Sequence, residues 1–232
     1  MIDGTILTAR APSGLPAAAK GRCPHLQYHN VLGVETVEAL LDYVRARERD
    51  FIPGVVRNRQ SGHQRIDRAV RDCYRLPDLG EFRAPIRALL DRIAVHALRE
   101  LELFEPAVEP SEFEMCAFGN GGHFAPHIDT FETLNRLRIL SCVYYFATTP
   151  RRFSGGILRL HGFPTSSSKS GLEPPIVDIM PETDSLVVFP SWLRHEVLPV
   201  EVPSKAWANG RFTINCWVHR VNPPADAAPI GC

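Results

Sequence analysis

The sequence predicts a mainly β domain, a sandwich or barrel, supported by helices that come before it in the chain. Short segments of alternating polar and apolar residues, separated by glycine and proline turns, fill the chain from residue 111 onward. Two stretches with helical periodicity precede them, and an apolar fraction of 44% is ample for a packed core. Many short strands of this kind are typical of closed or stacked sheets with helices packed against one face.

The chain of 232 residues is long enough for one domain with a helical extension. We expect four parts in order: a flexible lead-in rich in turn residues (1–25), a helical support region of the same domain (26–110), a β core (111–222) and a C-terminal tail (223–232).

The support region is predicted to contain a first short strand after His25 and then two helices. Glu35 begins the first helix, and Pro53-Gly54 stops it. The second covers residues 82–103, with Pro85 in its first turn, where proline is tolerated. The apolar positions of this second helix share one face, as expected for packing on a sheet: Ile86, Leu89, Leu90, Ile93, Leu98 and Leu101.

Seven segments of the predicted core have the length and composition of strands. They are residues 113–118, 138–147, 156–161, 176–179, 185–189, 195–202 and 211–218.

Residues 57–75 are unusually rich in arginine. The favoured interpretation is a solvated pair of strands joined by a loop, because charged runs usually face water. The alternative is a flap that faces a substrate. The sequence does not decide between them.

Composition narrows the possible partners. The chain has 26 basic and 26 acidic residues, which gives no reason to expect a nucleic-acid or anionic membrane surface. Asp3 and Arg10 interrupt the apolar run that a secretion signal needs, so a cytoplasmic location is expected. The six cysteines lack C-x-x-C spacing and are interpreted as reduced thiols rather than a disulfide framework or a zinc site.

A metal site is predicted from His127, Asp129 and His195. Alternation along a strand would place His127 and Asp129 on the same side, and His195 would approach from the opposite end of the barrel. Two imidazoles and one carboxylate, with no fourth protein ligand, suit mononuclear iron(II) and leave positions open, although manganese, cobalt or nickel could occupy such a site. Taken separately, His127 could be a turn histidine and Asp129 a helix cap.

The last predicted strand carries a second candidate site. Arg211, Thr213, Asn215 and Trp217 share one face, and the residues between them form an apolar face. A polar face that carries a tryptophan indicates the wall of a wet pocket. Because guanidinium is planar and permanently charged, Arg211 could bind a carboxylate in a bidentate manner, with Thr213 adding a hydrogen bond. Lys205 is the competing anchor.

The motifs together resemble the catalytic domain of 2-oxoglutarate- and iron-dependent prolyl 4-hydroxylases, and in particular the hypoxia-inducible-factor (SM-20-like) branch. The resemblance covers residues ~111–220, about half the chain, with motifs specific for the superfamily. Its segments, in order, are Phe118-Gly-Asn-Gly-Gly-His-Phe-Ala-Pro-His127-Ile-Asp129, Ser141-Cys-Val-Tyr-Tyr-Phe146, Ser154-Gly-Gly-Ile-Leu-Arg-Leu160, Leu186-Val-Val-Phe189, His195-Glu-Val-Leu-Pro199 and Gly210-Arg211 through Trp217.

The resemblance implies a double-stranded β-helix (a jelly roll, cupin-like) with supporting N-terminal helices. It implies Fe(II), 2-oxoglutarate and O2 as cofactors, with ascorbate as a further expectation. Arg211 would hold the distal carboxylate of 2-oxoglutarate, Tyr145 would donate to the same carboxylate, and Thr213 would support both. Arg138 and Trp217 match positions at the family's substrate mouth, and we expect Phe124 and Asn215 to lie there as well.

Two departures from the family pattern concern the substrate. Phe118 and Phe124 stand where these hydroxylases typically have tyrosines, so two hydroxyls near the co-substrate and metal are missing. Residues 202–209 are an insertion before Gly210. Neither change touches the three predicted ligands, but both leave prolyl hydroxylation less certain than oxygenase chemistry.

The function predicted from the sequence is therefore hydroxylation of an unactivated C–H bond, with release of succinate and CO2. The expected substrate is a peptide or protein residue such as proline, and the expected assembly is a monomer or homodimer. Two alternatives stay open: a small-molecule hydroxylase acting on an amino acid or natural-product intermediate, and a catalytically silent metal-binding β-barrel that serves as a sensor or scaffold.

Overall fold

The structure is a computed structural model, and it describes residues 23–57, 62–105, 107–130, 135–162 and 176–221. The predicted C-terminal tail and all but the last three residues of the predicted lead-in lie outside these ranges.

The described residues contain two α-helices, three short 3-10 helices and sixteen strands. The helices are α1 (Val34–Ala46) and α2 (Arg83–Glu100), and the 3-10 helices are Glu48–Asp50, Gly80–Phe82 and Trp207–Asn209. The strands are β1 (Leu26–His29), β2 (Ile52–Pro53), β3 (Val56–Arg57), β4 (Gln64–Arg65), β5 (Arg71–Asp72), β6 (Tyr74–Leu76), β7 (Val108–Phe118), β8 (His123–His127), β9 (Arg138–Phe146), β10 (Ser154–Gly155), β11 (Leu158–His161), β12 (Ile176–Ile179), β13 (Ser185–Pro190), β14 (Arg194–Val197), β15 (Val200–Glu201) and β16 (Arg211–Arg220).

Two antiparallel sheets face each other. The larger has the strand order β1-β13-β9-β16-β7-β6-β2, and the smaller has the order β12-β11-β14-β8-β5. The pairs β10–β15 and β3–β4 form two further ladders. The mainly β jelly roll with supporting helices is confirmed, and several neighbours in the strand order, such as β1 and β13 or β7 and β16, are far apart in sequence.

The helices cover the outer face of the larger sheet. Val37, Leu40 and Val44 of α1 are buried, and α2 buries a stripe around Ile86, Leu90 and Ile93. These side chains share one core with the outward residues of β7, β9 and β16: Phe113, Met115, Leu140, Cys142, Tyr144, Phe146, Phe212, Ile214, Cys216 and Val218. The predicted apolar face of the last strand therefore packs on the helices.

Asp184 fastens α1 to the sheet. Its carboxylate accepts the backbone N–H groups of Leu32 and Gly33 at 2.8 and 2.9 Å, just before the first turn of α1. The Tyr144 hydroxyl of β9 donates to the same carboxylate at 2.9 Å. Because the N-terminus of a helix carries a partial positive charge, a carboxylate at this end stabilises the helix.

The strands β2, β5 and β6, within residues 52–76, are divided between the two sheets. β5 pairs with β8 in the smaller sheet, whereas β6 pairs with β7 in the larger one. The chain therefore crosses from one sheet to the other between Asp72 and Tyr74 and closes one side of the space between them. This segment, with the hairpin β3–β4, was expected to be a solvated pair of strands.

The prediction of one continuous strand over residues 195–202 is wrong. It is two strands, β14 and β15, separated by Leu198 and Pro199. Leu198 N–H donates to Ile157 O, and β15 then pairs with β10 instead of continuing beside β11. Proline has no N–H for a ladder, which accounts for the interruption.

Neither helix in the described ranges combines the length and apolar character needed to cross a membrane.

Candidate metal and co-substrate site

Three predicted ligands meet between the two sheets. The nitrogen and oxygen atoms that His127, Asp129 and His195 can offer to a metal all lie within 4.8 Å of one another. His127 Nε2 is 3.6 Å from Asp129 Oδ1, and His195 Nε2 is 3.5 Å from Asp129 Oδ2. The cluster is the one group of three or more metal-ligating side chains in the part of the chain that the structure describes.

The route by which the ligands converge differs from the prediction. β8 ends at His127, so strand alternation does not carry through to Asp129. Asp129 is instead fixed by its backbone N–H, which donates to Ser191 O at 2.9 Å. His195 does not come from the far end of the barrel, because it lies directly opposite His127 in the ladder between β14 and β8.

Hydrogen bonds aim both imidazoles at the centre of the cluster. His127 Nδ1 lies 2.9 Å from Ala125 O, and His195 Nδ1 lies 2.9 Å from Leu193 O. A carbonyl oxygen can only accept, so each Nδ1 carries the proton and each Nε2 keeps a lone pair for a metal. This arrangement is the usual support of histidine ligands in metal sites.

Two donors hold the Asp129 carboxylate. Ser141 Oγ donates to Oδ2 at 2.6 Å, and Trp217 Nε1 donates to the same oxygen at 2.9 Å. Ser141 and Trp217 are paired across β9 and β16, so both reach Asp129 from one cross-strand row. With Oδ2 engaged twice, Oδ1 is the oxygen left for a cation.

The ionisation states suit a cation. Burial, followed by the neighbouring His195, lowers the pKa of His127 to about 3, so its imidazole is neutral near pH 7. Burial raises the pKa of Asp129, but His195, His127 and the two hydrogen bonds outweigh it and lower the pKa to about 2. Neutral imidazoles and an ionised carboxylate are the forms that bind a divalent metal.

Trp217 is itself held in place by Arg138, a residue expected at the pocket mouth. The guanidinium carbon of Arg138 lies 3.9 Å from the centre of a Trp217 ring, and Arg138 forms two hydrogen bonds with the Glu112 carboxylate. Arg138 also donates to Asp129 O at 3.3 Å. These two predicted mouth residues therefore also support Asp129, a role that the sequence did not indicate.

A second cluster of polar side chains lies beside the ligands and lacks partners. Arg211, Thr213 and Tyr145 are each only 1% exposed. Arg211 Nε, Thr213 Oγ1 and the Tyr145 hydroxyl have no hydrogen-bond partner. Thr213 and Tyr145 are paired across β16 and β9, and the Arg211 guanidinium carbon is 5.0 Å from the centre of the Tyr145 ring. Three buried donors with no acceptor fit a carboxylate group.

Gly156 makes room for Arg211. The residue has a φ of +64°, and a Cβ at this position would lie 2.6 Å from Arg211 Cδ. Both the backbone conformation and the close approach favour glycine here. On the other side, the Phe118 ring lies under the guanidinium, with 4.8 Å between its centre and the guanidinium carbon.

A pocket of about 700 Å³ joins the two clusters to solvent. It is lined by the three candidate ligands, by Arg211 and Thr213, and by the four residues expected at the mouth: Phe124, Arg138, Asn215 and Trp217. Phe124 stacks on His127, with 3.6 Å between ring centres. Tyr145 does not itself line the pocket, but it is paired with the lining residue Thr213 across β9 and β16.

The competing anchor and the inserted segment lie elsewhere. Lys205 is exposed and does not line the pocket. Trp207 of the insertion packs against Phe51 and Phe212 and donates its indole N–H to Val44 O at the end of α1. The insertion therefore packs on the helix side of the larger sheet.

Sequence reasoning missed several residues of the pocket wall. Arg71 and Arg75 were interpreted as solvated, but their side chains are 11% and 22% exposed and line the pocket. Arg65 is solvated as expected, at 70% exposed. The alternation of Arg71, Cys73 and Arg75 was a usable signal that these side chains share one face. Ser141 lies on the same face of its strand as Tyr145, four residues later, and this spacing was a usable signal as well.

Comparison with known proteins identifies the core. Residues 113–219 match the 2OG-Fe(II) oxygenase superfamily. An uncharacterised PKHD-type hydroxylase of Synechocystis sp. is 31% identical over 137 residues, which cover 59% of this chain. The aligned part spans 45% of the length of that relative.

Solved structures share the fold. A prolyl-4-hydroxylase of Pseudomonas putida has a TM-score of 0.59 at 22% identity, over 84% of this chain and 92% of that one. A prolyl hydroxylase of Trichoplax adhaerens, in complex with a peptide fragment of the hypoxia inducible factor oxygen degradation domain, has a TM-score of 0.57 at 18% identity, over 84% and 83%. The fold is therefore that of the prolyl 4-hydroxylases.

Proposed function

We propose that this chain, whose residues 113–219 match the 2OG-Fe(II) oxygenase superfamily, is an Fe(II)- and 2-oxoglutarate-dependent hydroxylase. His127, Asp129 and His195 would bind the iron. Arg211, Thr213 and Tyr145 would bind the distal carboxylate of 2-oxoglutarate.

The observation that carries the proposal is the pairing of two incomplete sites in one pocket. One is a set of two imidazoles and a carboxylate whose Nε2 and Oδ1 atoms remain available to a metal. The other is a set of three buried polar atoms without partners. A divalent cation and a carboxylate would satisfy both, and a structural role explains neither because unpaired buried polar groups are costly.

When bound, iron and 2-oxoglutarate would supply oxidative decarboxylation to succinate and CO2, coupled to transfer of one oxygen atom from O2 into a C–H bond. The protein's part is to bind, orient and exclude water. The Nδ1 hydrogen bonds fix the direction of each imidazole, while Ser141 and Trp217 fix the carboxylate. Burial of Arg211 removes competing water from the carboxylate that it would hold.

The proposed substrate is a peptide or protein residue such as proline. Supporting this choice, the Trichoplax adhaerens enzyme of the same fold is described in complex with a peptide fragment. A free amino acid or another small molecule is the second candidate, and the pocket volume of about 700 Å³ is compatible with it. A monomeric or dimeric state, a cytoplasmic location and an ascorbate requirement stay predictions.

The test of the activity is succinate formation from 2-oxoglutarate by the iron-loaded protein. We expect succinate under air and none under nitrogen, together with the gain of one oxygen atom by a peptide substrate in mass spectra. Turnover of a small molecule with no peptide modified would favour the second candidate. No succinate with any substrate would support a silent metal-binding scaffold and contradict the proposal.

The test of the co-substrate site is Arg211→Ala. We expect it to raise the 2-oxoglutarate KM by about 10- to 100-fold, because an anion loses a buried charge-assisted partner. The control is Lys205→Ala, which removes an exposed lysine and should leave the KM unchanged. If Lys205→Ala raises the KM and Arg211→Ala does not, the anchor has been assigned to the wrong residue.

A further inference from the structure

The wall of the pocket carries an excess of positive charge. Six arginines line it (Arg57, Arg71, Arg75, Arg83, Arg138 and Arg211), against the three acidic residues Glu112, Glu114 and Asp129. The chain as a whole is balanced, with 26 basic and 26 acidic residues. Loading the site with a divalent cation and a doubly charged co-substrate adds no net charge, so the excess remains and favours an anionic partner.

Arg71 is not the residue that would bind an anionic partner, because its guanidinium nitrogens already have hydrogen-bond partners in the protein. It donates to Glu114 Oε1 at 2.8 Å, to Cys73 Sγ at 3.1 Å and to Val55 O at 3.4 Å. It also lies 3.4 Å from Cys116 Sγ. Arg138 is likewise paired with Glu112.

Arg75 is different, because its ion pair with Glu114, the carboxylate that also binds Arg71, lies beyond hydrogen-bonding distance. Its terminal nitrogen is 3.8 Å from Glu114 Oε2, beyond hydrogen-bonding distance, and its Nε is buried with no partner. The side chain is 22% exposed. A guanidinium held in a pocket wall with an unsatisfied N–H is costly unless an anion completes its coordination.

The position of Arg75 places it in the wall of the same pocket as the proposed co-substrate site. It is paired with Cys116 across β6 and β7, and Cys116 is paired with Thr213 across β7 and β16. Arg75 therefore stands in the same cross-strand row as the proposed co-substrate residues, two strands away. Its carboxylate neighbour Glu114 is paired with Asn215, which lines the pocket in the next row.

We propose that Arg75 binds a carboxylate of the substrate, so that the enzyme acts on a molecule carrying a negative charge close to the oxidised carbon. The inference rests on the proposed function and specifies its substrate class. The carboxylate could belong to an acidic side chain of a peptide or to a free amino acid. The chemistry of recognition is the same in both, since the planar guanidinium donates two parallel hydrogen bonds to either carboxylate.

The experiment uses the full chain loaded with Mn(II), as a redox-inert paramagnetic ion, and saturating 2-oxoglutarate. The probes are propionate and its neutral isostere propionamide, and the measurement is the Mn(II)-induced relaxation of their protons in NMR spectra. Propionate should show concentration-dependent relaxation that propionamide lacks. The variants are Arg75→Gln, which removes the charge, and Arg75→Lys, which keeps it. Arg65→Gln removes an exposed arginine nearby and is the control.

We expect Arg75→Gln to weaken propionate binding by about tenfold or more, the effect of losing a charge-assisted pair. Arg75→Lys should retain part of the affinity, and Arg65→Gln all of it. Equal relaxation by acid and amide, or unchanged propionate binding in Arg75→Gln, would overturn the proposal. So would a loss of 2-oxoglutarate affinity in Arg75→Gln measured by calorimetry, because Arg75 would then belong to the co-substrate site.

The experiments distinguish a failure of the proposed function from a failure of the Arg75 assignment. If the Mn(II)-loaded wild type does not bind 2-oxoglutarate in calorimetry, the proposed function fails before the substrate is tested. To distinguish the two sources of the carboxylate, succinate formation is compared for proline peptides with a neighbouring glutamate or glutamine and for free amino acids with their amides. Preference for the acid in one of these pairs identifies the source. Equal turnover of acid and amide in both pairs contradicts the assignment.

Discussion

The two faces of the larger sheet differ in whether their buried polar groups have hydrogen-bond partners. On the helix-facing side, the Tyr28 hydroxyl is 2.8 Å from His96 Nδ1, and the Tyr144 hydroxyl donates to Asp184 at 2.9 Å. On the pocket side, Tyr145, Arg211, Thr213 and Arg75 each have a buried polar atom without a partner. Strand β9 therefore carries a satisfied hydroxyl, that of Tyr144, on one face and an unsatisfied one, that of Tyr145, on the other.

The difference separates the parts of the sheet that stabilise the fold from the parts that bind a ligand. Each unpaired buried polar group costs about 1–3 kcal/mol, so several on one wall are tolerated only where a ligand completes them. The paired groups on the helix side hold α1 and α2 in place. Removing a polar group from the helix-facing side should thus lower the stability of the protein. Removing one from the pocket side should lower the affinity for a ligand.

The largest expected effect concerns the histidines. His127→Ala should reduce metal affinity by more than about 100-fold, beyond the loss typical of a supporting residue, because it removes one of three ligands. Co(II) or Mn(II) titration followed by spectroscopy measures it. His96→Ala is the control on the helix side, where it removes the partner of Tyr28 and should lower the thermal stability while metal affinity stays unchanged. Similar metal affinities in both variants would contradict the assignment of His127.

The next effect concerns the two indole donors. Trp217→Phe keeps an aromatic ring but removes the N–H that holds Asp129, and it should lower metal affinity by about 10- to 100-fold. The same metal titration measures the change. Trp207→Phe removes the N–H bonded to Val44 O on the helix side. It should alter the unfolding temperature and leave the metal titration as in the wild type. An equal loss of metal affinity in the two variants would break the distinction between the faces.

The smallest effect distinguishes neighbouring tyrosines on β9. Tyr145→Phe should raise the 2-oxoglutarate KM by about tenfold, the effect of one lost hydrogen bond to a charged group, and should not lower the free energy of unfolding without ligand. Tyr144→Phe should leave that KM unchanged and lower the free energy of unfolding by about 1.5–3 kcal/mol, because Asp184 loses a donor. Urea unfolding and steady-state kinetics measure both. Reversed results would mean that the unpaired hydroxyl is structural.

Local patterns in the sequence were enough for the fold class and for the residue types of the site. The alternation over residues 211–218 correctly separated Ile214 and Cys216, which pack on the helices, from Arg211 and Thr213, which line the pocket. Helical periodicity located α2 within a few residues of its observed ends. These features depend on the repeat of a single strand or helix, which the sequence displays directly.

Contacts between distant segments could not be predicted in this way. Trp217 was expected at the substrate mouth, but its indole N–H reaches Asp129, 88 residues earlier, at 2.9 Å. Arg71 and Arg75 were interpreted as solvated. In the structure, the pairing of β5 with β8 and of β6 with β7 directs them inward. Neither outcome follows from the residues around these positions.

The sequence by itself determined which residues can bind a metal and a carboxylate, and on which face of its strand each one lies. Only the tertiary structure decided which strands became neighbours, and hence that His195 faces His127, that Ser141 and Trp217 share Asp129, and that the Arg75 Nε has no hydrogen-bond partner. The physical reason is that side-chain direction follows from local backbone geometry, whereas strand pairing depends on burying apolar faces far apart in the chain.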